Sequence, residues 1–242
     1  MTYILLMVTV LGAALVQSTS GFGFGIVFMA LTPLFLPYTM CTVLSVFTCL
    51  FLQIIMIIKL RHYIKWRPVI IPAIFAIVFS NIGVKVMIDI NEKVMAIILG
   101  IFLWLLALYM IFIAPKVHLK QNVWTEATAG TISGFMTGMF AIGGPPMVAY
   151  YDTVFDEKLS YQGTIQTYFF INSLNTFIAN IIYGNATMKM VPYAAISVIA
   201  CLIGTVIGMR ILNKISMQTV RKLAYIVMLA AGTYQLIKGI ML

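Results

Sequence analysis

Six carboxylates, two histidines and three cysteines are the usual material for catalysis in this chain of 242 residues, and none is arranged for it. Asp89, Glu92, Glu126, Asp152, Asp156 and Glu157 fall at or beyond the ends of apolar segments, and His62 and His118 stand in loops without a partner nearby in sequence. Cys41, Cys49 and Cys201 lie singly in apolar stretches, with no CxxC or other metal-ligand spacing. No nucleophile has its base, so no enzyme, metal site or cofactor is expected. A simple carboxylate relay for protons is disfavoured too, because such relays keep an acid inside the membrane.

What remains is neutral and polar. Gln17, Ser18, Thr19 and Ser20 run into Gly21, Gly23 and Gly25 in the stretch STSGFGFGIVFMALTP (18–33), and Thr137 runs into Gly143, Gly144, Pro145, Pro146 and Met147 in SGFMTGMFAIGGPP (133–146). Glycine frees the backbone and proline removes a donor, so a helix entering either stretch must break; the second should stop near Gly143 and restart with proline in its first turn. Where a helix restarts, its unsatisfied N–H groups and positive dipole end attract an anion. Pro145 and Pro146 donate nothing, so the amides of that half come from Gly143, Gly144 and Met147. Gly130, Gly134 and Gly138 read differently, as a small-xxx-small ridge for helix packing.

Two polar helix faces complete the candidates: Ser45, Thr48, Cys49 and Gln53 on one, Asn172, Asn175, Thr176 and Asn180 on the other. Each is either glue between helices or the lining of a pathway, and Asn172 and Asn175 are taken as candidate binding residues. Lys85 and Arg210, near span ends, read first as snorkelling to the interface and second as gathering anions.

The elements that must position these groups are membrane elements. The chain is 62% hydrophobic and 9% charged, with mean hydropathy +1.07, against about 25% charged residues in a soluble domain. No polar stretch is long enough to fold by itself. The net charge of +9 resides in loops, where it sets orientation and gives no reason to expect nucleic acid as a partner. The N-terminus lacks the basic region of a signal peptide and is treated as mature protein.

Two halves emerge. The first, 1–115, holds a glycine-rich hairpin at 3–37 and spans near 38–58, 68–88 and 94–114. The second, 124–242, holds a hairpin at 124–151 and spans near 162–183, 190–210 and 222–241. Ile82-Gly83-Val84-Lys85 matches Ile207-Gly208-Met209-Arg210, and the two polar faces match at a similar spacing. If each broken segment crosses once, the halves are parallel and the 15 Lys and Arg divide evenly, eight to seven. If each hairpin enters and returns on one side, the halves are inverted and eleven of the 15 lie in the cytoplasm, as the positive-inside rule requires. Arms of about 16 residues, roughly 24 Å of helix, suit a re-entrant hairpin. The expected fold is therefore all-α and polytopic, built of two inverted repeats, each a broken or re-entrant hairpin plus three transmembrane helices.

The doubled glycine-rich break (SGFGFGIVFMALTP and GMFAIGGPPM) and the IGxK/IGxR repeat resemble the TauE/SafE family of membrane permeases, often called sulfite exporters, over essentially the whole chain. Phe22 and Phe24 stand where members often show a plain glycine run, a departure that bears on substrate size. The resemblance implies export of small sulfur-containing anions, such as sulfite or organosulfonates, across the inner membrane. Paired breaks point to a substrate site between the hairpin tips. A passive anion channel is the alternative. The partners expected are a small anion and the bilayer, with a homo-oligomer left open.

Overall fold

Asn91 and Asn122 show how sequence sets the helix starts: each accepts a hydrogen bond from the backbone N–H three residues on, Val94 at 2.9 Å and Thr125 at 2.8 Å. A computed structural model describes residues 1–116, 119–211 and 217–241. His118 and Lys214 lie outside the described residues. The helices are α1 (Thr2–Ser20), α2 (Phe24–Leu31), α3 (Tyr38–Leu60), α4 (Arg67–Asp89), α5 (Glu92–Leu108), α6 (Val123–Phe140), α7 (Gly144–Val154), α8 (Lys158–Ile182), α9 (Val191–Ile211) and α10 (Met217–Met241). A π-helical turn, Tyr109–Ile113, prolongs α5. The described residues are thus all-α, and α1, α3, α4, α5 and α9 are long and apolar enough to cross a membrane. The fold is polytopic and helical, as expected from the composition.

Each break divides its hairpin unequally. The long arms α1 and α6 have 19 and 18 residues, about 27–29 Å, while the short arms α2 and α7 have 8 and 11, about 12–17 Å. Arms of equal length were expected; the turns instead come at Gly21–Gly23 and Ala141–Gly143, closer to the returning end.

Glycine permits the closest packing. A β-carbon on Gly130, Gly134 or Gly138 of α6 would strike the backbone of Pro72, Ala76 and Ser80 in α4. This ridge is helix packing, as read from its spacing. Pro72 lacks an N–H, which orphans the carbonyl of Pro68 one turn back, and the Tyr151 hydroxyl donates to that oxygen at 3.1 Å. Gly83 of α4 lies against Phe135 and Gly138 of α6, and Gly208 of α9 lies against Ser18 and Leu15 of α1. The two glycines of the IGxK/IGxR repeat therefore do the same work, each seating the long arm of the other half's hairpin. Lys85 and Arg210 are exposed.

Contact pairs give the relative directions. Numbers rise together for Pro72–Gly130, Ala76–Gly134 and Ser80–Gly138, so α4 and α6 are parallel; Ala14–Gly204 and Ser18–Gly208 make α1 and α9 parallel. They run oppositely for Phe47–Phe177, Gln53–Ser173 and Leu60–Gly163, so α3 and α8 are antiparallel. Lys93–Gly239 and Gly100–Gly232 make α5 and α10 antiparallel as well. Ile70, Ile74, Val78 and Ile82 of α4 and Ile199 and Ile203 of α9 point outward, while Gln17, Ser45, Gln53, Asn172 and Asn180 are buried, the distribution of a bundle solvated by lipid.

Candidate functional site

The two breaks meet. A β-carbon on Gly25, in the first turn of α2, would collide with the carbonyl oxygen of Ala141, so only glycine lets the first break seat on the second. Gly21 and Gly23 turn the first break at φ 84° and 106°. In the second break the left-handed residue is Ala141, at φ 54°, a conformation that costs an alanine about 1–2 kcal/mol. Gly143, at φ −100°, needs no such freedom. It is glycine because a β-carbon there would strike the Thr137 hydroxyl and the Ser133 carbonyl. The helix does restart at Gly144 with prolines in its first turn.

Around this contact lies a small cavity of about 40 Å³. Four elements supply it: the α1–α2 break (Gln17, Gly23, Gly25), the α6–α7 break (Thr137, Gly143, Gly144), α3 (Ser45, Cys49, Gln53) and α8 (Phe169, Asn172, Ser173). No charged residue lines it. Gln17 ties the walls together: its Oε1 accepts from the Phe24 N–H at 3.0 Å and its Nε2 donates to Gln166 Oε1 at 3.1 Å and Cys49 Sγ at 3.4 Å. Gln166 in turn donates to the Gly21 carbonyl at 2.8 Å, bracing the first break from α8. In the second break, Ser133 Oγ donates to the Gly143 carbonyl at 2.5 Å, and Thr137 Oγ1 donates to Ser133 O and accepts from Asn172 Nδ2, both at 2.8 Å. Gln53 Nε2 donates to Ser173 Oγ at 3.2 Å.

Three lining groups are buried with no hydrogen-bond partner: Ser45 Oγ, Gln53 Oε1 and Asn172 Oδ1. Gly25 and Ile26 add first-turn N–H groups, which no carbonyl of their own helix can reach. Residues carrying donors and acceptors therefore surround one charge-free space, and half a turn of either amide swaps its oxygen for its NH₂. Leaving such groups unpaired costs about 1–3 kcal/mol each, so the cavity suits a small polar guest.

Of the residues singled out in the sequence, Gln17, Gly23, Gly25, Thr137, Gly143, Gly144 and Asn172 line this cavity, with Ser45, Cys49 and Gln53 of the α3 polar face. The others stand behind or away from it. Ser18 donates to Ala14 O, and it is Ser18 that the Gly208 β-carbon would strike, on the α9 side. Thr19 Oγ1 donates back to Leu15 O at 2.7 Å, and Ser20 Oγ serves Val16 O and Phe22 O within the break itself. Gly21 offers its carbonyl to Gln166. Pro145 and Met147 are buried in α7 outside the lining, and Asn175 Nδ2 bonds Ser80 Oγ at 2.9 Å and Ile77 O of α4. Sequence reasoning missed Gln162 and Gln166. Their spacing with Phe169, Ser173, Thr176 and Asn180 marks a single helix face and could have revealed them.

One of the carboxylates expected at segment ends lies there but is buried. Glu126 was placed at a segment end; it is only 3% exposed, four residues into α6, and accepts from the Tyr150 hydroxyl at 2.7 Å. This pair sits at the open base of the second hairpin, whereas Ser133 and Gly143 pair near its tip. The sequence shows Glu126 at the edge of an apolar run but not that α7 folds back over it.

The family model described as "Sulfite exporter TauE/SafE" matches residues 5–234. The chain is 25% identical over 232 residues to a protein of Cupriavidus necator described as "Probable sulfite/organosulfonate exporter TauE", covering 93% of this chain and 90% of that protein. No solved structure matches it. Together with the long apolar helices, these matches make it a multi-pass protein of the cell's inner membrane. It belongs to the TauE/SafE sulfite exporter family, and so among the membrane transporters of sulfur-containing anions.

Proposed function

We propose that the chain exports a small sulfur-containing oxyanion, sulfite or a sulfonate, through the charge-free cavity between the two hairpin tips, and that it is a carrier without enzymatic activity. The observation that carries this reading is the convergence of both breaks and both polar faces on one cavity holding unpartnered Ser45 Oγ, Gln53 Oε1 and Asn172 Oδ1. Family membership supplies the substrate class. The opposed directions of α3 and α8, and of α5 and α10, support two inverted halves, since halves running parallel would make those pairs parallel.

A lining of amides, hydroxyls and helix N-termini holds an anion by hydrogen bonds and dipoles, with each dipole end worth about 0.3–2 kcal/mol. It prefers one charge to two, because removing a dianion from water without a countercharge costs far more. Hydrogensulfite fits both kinds of group, its oxygens taking the donors and its proton an amide oxygen. Affinity should be modest, in roughly the micromolar-to-millimolar range, which lets cargo leave. The test is a thermal-stability titration of the purified protein with methanesulfonate, sulfate and a neutral sulfone at one ionic strength. Stabilisation by the sulfonate alone is expected; equal stabilisation by the sulfone, or a preference for sulfate, would refute the reading.

A further inference from the structure

At the other end of α2 lies a second small hollow of about 40 Å³, where the return of the first hairpin meets α5 and α10. Two donors on one face of α10 line it, a turn apart. Lys238 Nζ donates to the Pro33 carbonyl at 2.9 Å, using one of its three N–H groups. Gln235 is 1% exposed, and its Nε2 has no partner. A buried NH₂ without an acceptor and an ammonium thus belong to two residues that line one hollow, a pairing that suits an anionic acceptor. The opposing group is Glu92, exposed on the same lining.

We propose that this hollow is a second anion station, holding a small oxyanion between Lys238 Nζ and Gln235 Nε2. Its ligand chemistry stands by itself, and its place in a route rests on the export reading. The hollow and the central cavity flank α2, with Gly25 at one end and Pro33 at the other. Along α3, Tyr38 lines the hollow and Ser45 the cavity, seven residues or about 10 Å apart. The Tyr38 hydroxyl also donates at 2.8 Å to Met139 O, two residues before Ala141 of the second break. With inverted halves this end faces outward, so a cation lies on the exit side of a neutral site and draws the anion off it. Glu92 keeps that hold weak enough for release.

Equilibrium dialysis of radiolabelled sulfite against the full chain in lipid nanodiscs counts the sites. Two sites per chain are expected, one in each cavity. Lys238→Gln should leave one, with the lost site weakened about tenfold or more, and Lys238→Arg should restore both. Gln235→Leu should also leave one, and it keeps the Lys238–Pro33 bond, so it decides the matter if Lys238→Gln fails to fold. Glu92→Gln should tighten the outer site. A single site in the wild type, or two intact sites in Lys238→Gln or Gln235→Leu, overturns the proposal. If sulfite does not bind at all, the export reading falls. The same dialysis with radiolabelled phosphate then judges the station alone: binding that needs Lys238 upholds it, and no such binding overturns it.

Discussion

Replacing Gly25 with alanine puts a methyl group where the carbonyl oxygen of Ala141 already sits. The obstructing atom is backbone, not the end of a flexible side chain, so relief requires the two breaks to part by roughly an ångström or more. Overpacking of this kind costs about 1–3 kcal/mol. The same movement pulls Gly25 and Ile26 away from Ala141 and Ile142, four lining residues of the central cavity. Gly25→Ala should therefore insert and fold with lowered thermal stability and lose nearly all sulfite flux in proteoliposomes. Gly144→Ala is the control. Its β-carbon would rest 3.4–3.5 Å from Phe22, ordinary contact, so stability should change by no more than about 0.5 kcal/mol. Gly144→Val adds methyl groups against Phe22 and Phe169 and should impair transport. A Gly25→Ala protein as stable and active as the wild type would refute the seating of one break on the other.

The threonines separate lining from support: Thr137→Val strips Asn172 Nδ2 of its acceptor and should cost about 1–3 kcal/mol and weaken anion binding, whereas Thr19→Val should leave binding unchanged, both read by calorimetry. Ala141→Gly should raise thermal stability by about 0.5–1 kcal/mol, the relief of a left-handed alanine less the entropy of a glycine. Glu126→Gln keeps an acceptor for the Tyr150 hydroxyl and should unfold near the wild-type temperature, while Glu126→Leu should lose about 1–3 kcal/mol. For topology, single cysteines at Lys65 and Lys214 in a cysteine-free background should both resist an impermeant thiol reagent in intact cells, and labelling of only one would contradict inverted halves.

The breaks were legible because glycine and proline act locally: Gly21, Gly23, Pro145 and Pro146 announce interrupted helices wherever the chain goes. The packing ridge of Gly130, Gly134 and Gly138 was legible from its four-residue spacing. What spacing cannot convey is which side of a polar helix meets which neighbour. Thr19 and Thr137 both precede glycines, yet Thr19 bonds its own helix while Thr137 lines the cavity. Asn172 and Asn175 lie three residues apart on α8, yet one faces the cavity and the other α4. Glu126 stands at the end of an apolar run in sequence, and only the return of α7 buries it under Tyr150. Gly143 shows the subtler limit. Its identity was foreseen, but its cause is the close approach of Thr137 and Ser133, and the turn itself falls on Ala141.

Counterflow of radiolabelled sulfite in proteoliposomes tests the central claim most directly. Vesicles loaded with unlabelled sulfite should take up label transiently above equilibrium, saturably and faster than empty vesicles, and Gly25→Ala should abolish the overshoot. Linear uptake that neither saturates nor responds to internal sulfite would make the protein a passive conduit, and an undiminished overshoot in Gly25→Ala would take the route away from the hairpin tips.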